Sequence, residues 1–367
     1  MIRLFEKKAG LTSSRKLDHL RICLDKPIER GFTGFEDVRL IHNAIPECDL
    51  DKIDTKTRFL GSRFMSPLFI AAMTGGHSDT RIVNARLAKA AGHFGIGMGV
   101  GSQRAALENS DLEGTFSVVR DEAPDAFIVA NLGIVQLRDH GTEWADRAVS
   151  MIDADALAIH LNFLQEAIQP EGDHNATGCL AAVRELCEDF KYPVIIKETG
   201  SGISAQAAQA VFGAGVKAID IGGFGGTSWA AIEGIRADES PSADNKQLIS
   251  LGREFIDWGI PTVVSLIDVA RTGGPVIATG GLRSGLDIAK SLVLGAELSG
   301  MALPLLKPAI EGEESLFSVI ETIENQLKVA MFLTGSGNIA GLKSKHAMIT
   351  GITRELIDNI REEYNGY

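Results

Sequence analysis

Cysteine is scarce in this chain of 367 residues. Its four copies, Cys23, Cys48, Cys179 and Cys187, form no CxxC pair and no histidine-spaced set. That argues against a disulfide framework or a zinc site and fits a reduced, cytoplasmic protein with incidental thiols. No uncharged apolar run reaches bilayer-spanning length, and the opening MIRLFEKKAG is too charged for a signal peptide. A membrane protein is not expected. Positive charge is also in deficit, with 36 Lys and Arg against 48 Asp and Glu and a formal net charge of -12. Such a surface repels phosphate backbones, so nucleic acid is not an expected partner. An anionic small molecule would need a local basic pocket.

What is abundant is rhythm. The chain is 45% hydrophobic, and from residue 65 onward strand-like apolar runs recur. They read PLFIAAM, GIGMGVG, AFIVANLG, ALAIHLN, PVIIKE, KAIDIGG, PVIATGG and LSGMALP. Between them lie helical patterns such as DTRIVNARLAKAAGHFG and SGLDIAKSLVLGA. Eight strand–helix units in sequence predict an α/β chain folded as a (β/α)8 TIM barrel. A doubly wound sheet would stop at fewer strands and carry its glycine fingerprint after the first. Here the glycine-rich strand ends fall in the last three units. Residues 1–64 read as a polar, irregular N-terminal extension, 65–345 as the barrel and 346–367 as a C-terminal tail or helix. An insertion, roughly 223–274, follows the sixth strand.

Barrel enzymes place functional groups at the C-terminal strand ends. The fourth such end, in DALAIHLNFLQEAIQPEGD, turns abruptly from apolar to polar. His160 and Asn162 share one face of the strand by period-two alternation, and Gln165 and Glu166 follow. Burying four such groups without partners is costly, so they read as site residues. Glu166 is a single carboxylate, which suits Mg2+ completed by water and substrate phosphate. A helix-start carboxylate favoured by the macrodipole is the plainer alternative.

The last two units carry glycines at Thr279-Gly280-Gly281 and before Ala302-Leu303. Loops after strands seven and eight commonly hold a phosphate in this fold, though each could be an ordinary tight turn. Lys197, closing the fifth run, could neutralise an anionic cofactor, form a Schiff base or snorkel to solvent. GGFGGTSW after the sixth run offers close-approach backbone and the Thr227 hydroxyl, with Trp229 readable as ordinary packing. Ahead of the barrel, SSRKLDHL places Arg15, Lys16 and His19 together, able to clamp phosphoryl oxygens if that arm folds over the barrel mouth. A solvated, charged terminus is the alternative.

Taken in order, RKLDH, AAMTGG, GSQR, ANLG, HLNFLQE, KETG, GGFGGTSW, TGGLR and GMAL resemble the type 2, flavin-dependent isopentenyl-diphosphate isomerases over nearly the whole chain. The resemblance implies a non-redox interconversion of isopentenyl and dimethylallyl diphosphate in isoprenoid biosynthesis. It implies reduced FMN and Mg2+, with NADPH reducing the flavin. It assigns flavin contacts to Ala72, Met73, Thr74, Ser102, Asn131, Lys197 and Thr227. The flavin phosphate falls to Gly280, Gly281, Leu282, Arg283, Ala302 and Leu303. Substrate would meet Arg15, Lys16, His19, Ser102, Gln103, Arg104 and Gln165, with Glu166 on the metal. Gln165, His160 and Asn162 are the implied catalytic group. The family also implies a homo-tetramer or homo-octamer. One departure is Gly222, where relatives often carry serine.

Two rival readings use the same barrel. An FMN oxidoreductase would transfer hydride and need a base beside a carboxylate-binding arginine; the RK arm with Glu166 suits a diphosphate–Mg2+ complex better. A non-catalytic phosphate-binding protein would be colourless.

Overall fold

Each of the eight apolar runs forms a short strand: β1 (Leu68–Ile70), β2 (Gly97–Gly99), β3 (Ile128–Gly133), β4 (Ala156–Leu161), β5 (Val194–Glu198), β6 (Ala218–Asp220), β7 (Val276–Ala278) and β8 (Leu298–Met301). The computed structural model describes residues 11–239 and 245–365, and side chains over 16–239 and 245–360. Successive strands pair in parallel, and β8 pairs with β1 (Ser299 opposite Leu68), which closes the sheet. The (β/α)8 barrel expected from the rhythm is the fold observed. Among the described residues no helix is long and apolar enough to cross a membrane.

Strand alternation sorts the side chains. Ala156, Ala158, Val129, Ile195, Ala218, Ile277 and Leu298 form one buried cluster inside the barrel. Leu157, Ile159, Ile196 and Ile219 belong to the outer core under the helices. The interior line of β4 therefore runs Ala156, Ala158, His160, so the histidine stands at its top. Register places Gly133 beside His160, His160 beside Lys197, and Lys197 beside Asp220. An apolar barrel interior thus ends in a polar layer at its C-terminal mouth.

The segment before the barrel is more ordered than its polarity suggests, which corrects the expectation of an irregular extension. Leu11–Asp25 is a helix, and Thr57–Phe59 pairs with Ser62–Phe64 in a hairpin. The hairpin turns through Leu60 and Gly61, both at positive φ (46° and 86°), which matches the twist that two-residue hairpins need. Phe59 and Phe64 pack on Phe127 with ring centroids 6.3 and 5.4 Å apart. They close the barrel floor. Three-residue strands are too short to show a period, so the sequence pattern did not display them.

The insertion after β6 supplies three helices, Trp229–Glu239, Asn245–Glu254 and Thr262–Ala270. At the other end, Ala347–Ile349 pairs antiparallel with Val38–Leu40 before a final helix, Gly351–Asn365. The C-terminal segment is thus tied to the N-terminal one by a small sheet, an element the expected tail or helix did not include.

Candidate active site

A cavity of ≈ 250 Å³ opens at the C-terminal mouth of the barrel. Its wall gathers residues from every barrel unit. Ala72, Met73 and Thr74 follow β1, and Ser102 and Arg104 follow β2. Asn131, His160, Asn162, Gln165 and Glu166 come from the third and fourth units, with Lys197 from the fifth. Thr227, then Gly280 to Arg283, then Ala302 and Leu303 complete the ring. The helix Leu11–Asp25 lies across this mouth and contributes Lys16, His19, Leu20 and Cys23. The arm therefore folds over the barrel, the condition on which its basic residues become site residues. The Arg15 side chain lies outside the described residues.

The last glycine loops make a narrow cradle. Gly280 and Gly281 sit at φ 108° and 76°, and a Cβ on Gly280 would run into the Gly223 carbonyl. Only glycine allows that approach. Just beyond, the helix Gly285–Val293 has its N-terminus occupied by its own capping box, Ser284 with Asp287. The helix Leu303–Glu311 begins at Ala302 without a side-chain cap. The helix end left open to a phosphate is thus the one after β8. Thr74 adds a buried hydroxyl for which the described residues provide no partner. A buried donor without a partner costs free energy unless a ligand satisfies it. The cradle and the unsatisfied hydroxyl fit FMN, with the phosphate at the β7–β8 end.

Gly222 also has a physical reason. Its φ is 46°, and a Cβ there would strike the Glu198 carbonyl. The backbone after β5 closes onto this position and leaves no room for a side chain.

Above the apolar interior, hydrogen bonds hold the polar layer around His160. His160 Nδ1 meets Asn131 Oδ1 at 2.9 Å, and Asn131 Nδ2 donates to the Val100 carbonyl at 2.9 Å. That second bond fixes the amide with its oxygen toward the histidine, so Nδ1 carries the proton and Nε2 keeps its lone pair. Burial, and then the charges of Lys197 and Lys16, push His160 down to about 3. It is a neutral imidazole. Asp220, in the same layer, accepts from the Thr279 hydroxyl, and burial raises its pKa against the pull of Lys197. Glu198 accepts the amides of Thr199, Gly200 and Ser201 at 2.6, 2.5 and 2.5 Å, while burial drives it up to about 7.

The fourth strand end answers the question its sequence raised. Glu166 is buried and accepts from Asn162 Nδ2 at 2.8 Å and from the Asp173 amide at 2.9 Å. Gln165 Nε2 donates to Glu233 Oε1 at 2.8 Å, and His19 Nε2 reaches the same oxygen at 2.9 Å. Glu233 is held by Arg236 as well, at 2.7 Å. Burial raises the Glu233 pKa, but the His19 hydrogen bond and charge, the Arg236 charge and the Gln165 hydrogen bond outweigh it, leaving about 2.

Not every expected side chain reaches the cavity. Gln103 is fully buried, donating to the Ala148 carbonyl at 2.8 Å and accepting from the Asn131 amide at 2.8 Å. Its side chain is a strut beneath the site and is not part of the cavity wall, where the sequence reading expected it. Arg283 lines the cavity but pairs with Glu29. Arg104 pairs with Glu108 at 2.8 Å and lies 3.7 Å from Asp173. Trp229 lines the cavity too, edge-on to His19 at 5.1 Å.

Glu233 and Asp220 were missed at the sequence level. Each is a lone acid in an apolar stretch, AAIEGI and AIDIGG, and that contradiction was the available signal.

The chain is similar to several known proteins. A family model described as FMN-dependent dehydrogenase matches residues 125–349. An isopentenyl-diphosphate delta-isomerase of Methanoregula boonei is 61% identical, covering 96% of this chain and 98% of the relative. Those of Methanosarcina mazei and Archaeoglobus fulgidus are each 53% identical, covering 95% of this chain and 94% and 99% of theirs. Among solved structures, a flavocytochrome b2 variant with pyruvate bound aligns with a TM-score of 0.67 at 16% identity, covering 91% of this chain and 83% of its own. A mandelate oxidase variant with benzaldehyde aligns at 0.64 and 16%, covering 92% and 95%. These two share the fold.

Proposed function

Since the chain belongs to the isopentenyl-diphosphate delta-isomerases, we propose a reading of which of its residues bind, orient and turn over the substrate. The enzyme interconverts isopentenyl diphosphate and dimethylallyl diphosphate, with FMN as its cofactor. The observation that carries the residue assignments is the helix Leu11–Asp25 folded over the barrel mouth. It brings Lys16 and His19 into the same cavity as Glu166 and the glycine cradle. One cavity thus offers a phosphate cradle at one side and a second, cationic anchor at the other.

The diphosphate falls to Arg15, Lys16, Ser102 and Arg104, whose positive charge locally offsets the acidic chain. Glu166 would hold Mg2+ against it. A single carboxylate suits that ion, which takes most of its ligands from water and phosphate. Among the described residues there is no cluster of three or more His, Cys, Asp or Glu able to bind a metal alone. Each Glu166 oxygen already accepts a hydrogen bond and keeps lone-pair capacity for a cation.

The hydrocarbon end then lies beside Gln165, His160, Asn162 and Trp229. A neutral His160 with Nδ1–H spent on Asn131 is an acceptor and not an acid at the cavity. Gln165 presents an amide oriented by Glu233, and the buried Glu233 stays ionised. These side chains orient the alkene and exclude water, but none is a poised proton donor. When bound, reduced FMN supplies acid–base chemistry at the alkene. Lys197 stands beside His160 and Asp220 and lines the cavity, where it would balance charge on a reduced flavin. NADPH as reductant, a cytoplasmic location and a homo-tetramer or homo-octamer complete the proposal.

The test is turnover of isopentenyl diphosphate by FMN-reconstituted protein under anaerobic, reducing conditions with Mg2+, followed by NMR of the product. Dimethylallyl diphosphate should accumulate with no net change in the flavin spectrum. Stoichiometric flavin oxidation during product formation would instead favour an oxidoreductase. Light scattering checks the assembly.

A further inference from the structure

An arginine from the insertion after β6 is linked to the cavity-lining Gln165 through Glu233. Arg236 lies on the helix Trp229–Glu239 and joins two carboxylates from different parts of the chain. Its Nη1 reaches Glu233 Oε2 at 2.7 Å, and its Nη2 reaches Glu171 Oε1 at 2.6 Å. Glu171 belongs to the loop that follows Gln165 and Glu166. We infer that Arg236 is a positioning residue for the isomerisation: through Glu233 it selects which end of the Gln165 amide faces the substrate, and through Glu171 it pins the β4 loop. The inference rests on the isomerase reading for its functional half.

The argument begins with the amide. A carboxylate only accepts hydrogen bonds, so Gln165 can meet ionised Glu233 only with its nitrogen. That is the observed pair, at 2.8 Å. The amide oxygen is thereby turned away from Glu233, toward Asn162 at 3.5 Å and the cavity. Gln165 presents an acceptor there, not a donor. This orientation holds only while Glu233 remains charged. The Glu233 side chain is wholly buried and Arg236 is one-fifth exposed, so the pair is not a solvated surface bridge of negligible weight. Removing one partner of a buried pair leaves an uncompensated charge. Without Arg236, Glu233 keeps the His19 and Gln165 hydrogen bonds at Oε1 but loses the partner of Oε2, which favours protonation or a swing of the carboxylate. A protonated Glu233 could donate to the amide oxygen, and Gln165 would turn end for end.

The second carboxylate ties the same arginine to the loop. That loop is already folded onto Glu166, through the Asp173 amide on its carboxylate at 2.9 Å and the His174 ring Nε2 on its carbonyl at 3.0 Å. Arg104 and Gln136 approach Asp173 from the other side, at 3.7 and 3.2 Å. Glu171–Arg236 is one tie that fastens the loop to the helix after β6. Amide orientation and loop position therefore share one guanidinium, whose planar fork serves two acceptors at once.

The test uses FMN-reconstituted enzyme carrying Arg236→Gln, Arg236→Lys or Glu171→Gln, with flavin content and folding checked for each. Arg236→Gln should lower kcat by about tenfold or more. Arg236→Lys should recover part of that loss, because a point charge still serves Glu233. Glu171→Gln should mainly raise KM, since it frees the loop and leaves Glu233 paired. Independently of turnover, amide hydrogen exchange over 169–178 should speed up in both Arg236→Gln and Glu171→Gln, with the barrel strands unchanged. Wild-type kcat in Arg236→Gln, or a Lys variant no better than Gln, would overturn the amide role. Unchanged exchange would overturn the loop tie. A wild-type enzyme that does not convert isopentenyl diphosphate would overturn the isomerase reading and the amide role with it, while the exchange result would still decide the tie.

Discussion

Gln165 and Glu233 meet at 2.8 Å across the barrel mouth although 68 residues separate them in sequence. One follows the fourth strand and the other lies in the insertion after the sixth. Trp229 of the same insertion lines the cavity, so the insertion forms one of its walls.

Glu166 and its neighbour should separate cleanly. If Glu166 holds Mg2+ against the diphosphate, Glu166→Gln keeps fold and yellow colour but needs more Mg2+, because an amide lacks the charge a hard cation prefers. Gln165→Ala should lose turnover while its Mg2+ dependence stays near wild type. Magnesium titrations of both under anaerobic, reducing conditions decide this. Coincident curves for wild type and Glu166→Gln would remove the metal assignment.

Arg104 is paired with Glu108 and close to Asp173, contacts that substrate diphosphate would have to displace. Arg104→Ala should raise KM roughly ten- to hundredfold, the loss of one charge-assisted hydrogen bond of ~1.5–3 kcal/mol. Lys16→Ala should act in the same direction. Flavin content should be unchanged in both. Lost flavin with an intact substrate KM would mean that these residues serve the wrong ligand in this account.

The glycine cradle makes a steric prediction. Gly280→Ala places a Cβ against the Gly223 carbonyl at a backbone φ of 108° that alanine rarely adopts. FMN affinity should fall by tenfold or more, about 1.4 kcal/mol at the least. Fluorescence titration of apoprotein with FMN measures it, and unaltered affinity would place the phosphate elsewhere.

Buried, neutral His160 gives stability a pH dependence with a definite sign. Its folded pKa is about 3 against an ordinary 6.5. As pH falls from 6.5 toward 3, the unfolded chain gains a proton that the folded chain refuses, so this contribution to stability is lost on acidification. Above 6.5 it is constant. Urea midpoints of apoprotein at several pH values should therefore fall less steeply for His160→Gln than for wild type in that window. Parallel slopes would show that His160 is not held neutral.

Phe64 tests the floor. It is 1% exposed and packs on Phe59 and Phe127. Phe64→Ala should cost about 3–5 kcal/mol, visible as a lower urea midpoint, while KM of the folded fraction stays unchanged because the hairpin lies at the opposite end from the site.

The barrel itself was legible in the residue pattern. Parallel strands covered on both faces must be apolar throughout, and eight such runs with amphipathic segments between them leave few other closures. The strand ends, and with them Thr74, Asn131, His160, Lys197 and the late glycines, followed from that order. Period-two alternation was enough to put His160 and Asn162 on one side, since it depends only on local backbone geometry. What the pattern could not decide was everything set by contact between distant segments. The arm at 11–25 reads as a charged terminus until it lies across the mouth. Gln103 reads as a site residue between Ser102 and Arg104 until its amide is spent on Ala148 and Asn131. Glu233 and Asp220 are improbable acids in apolar runs until Arg236, His19, Gln165 and Thr279 are brought to them. Burial of a charge is tolerable only where its partners converge, and that convergence is a property of the closed barrel and the helices over it, not of any one stretch of chain.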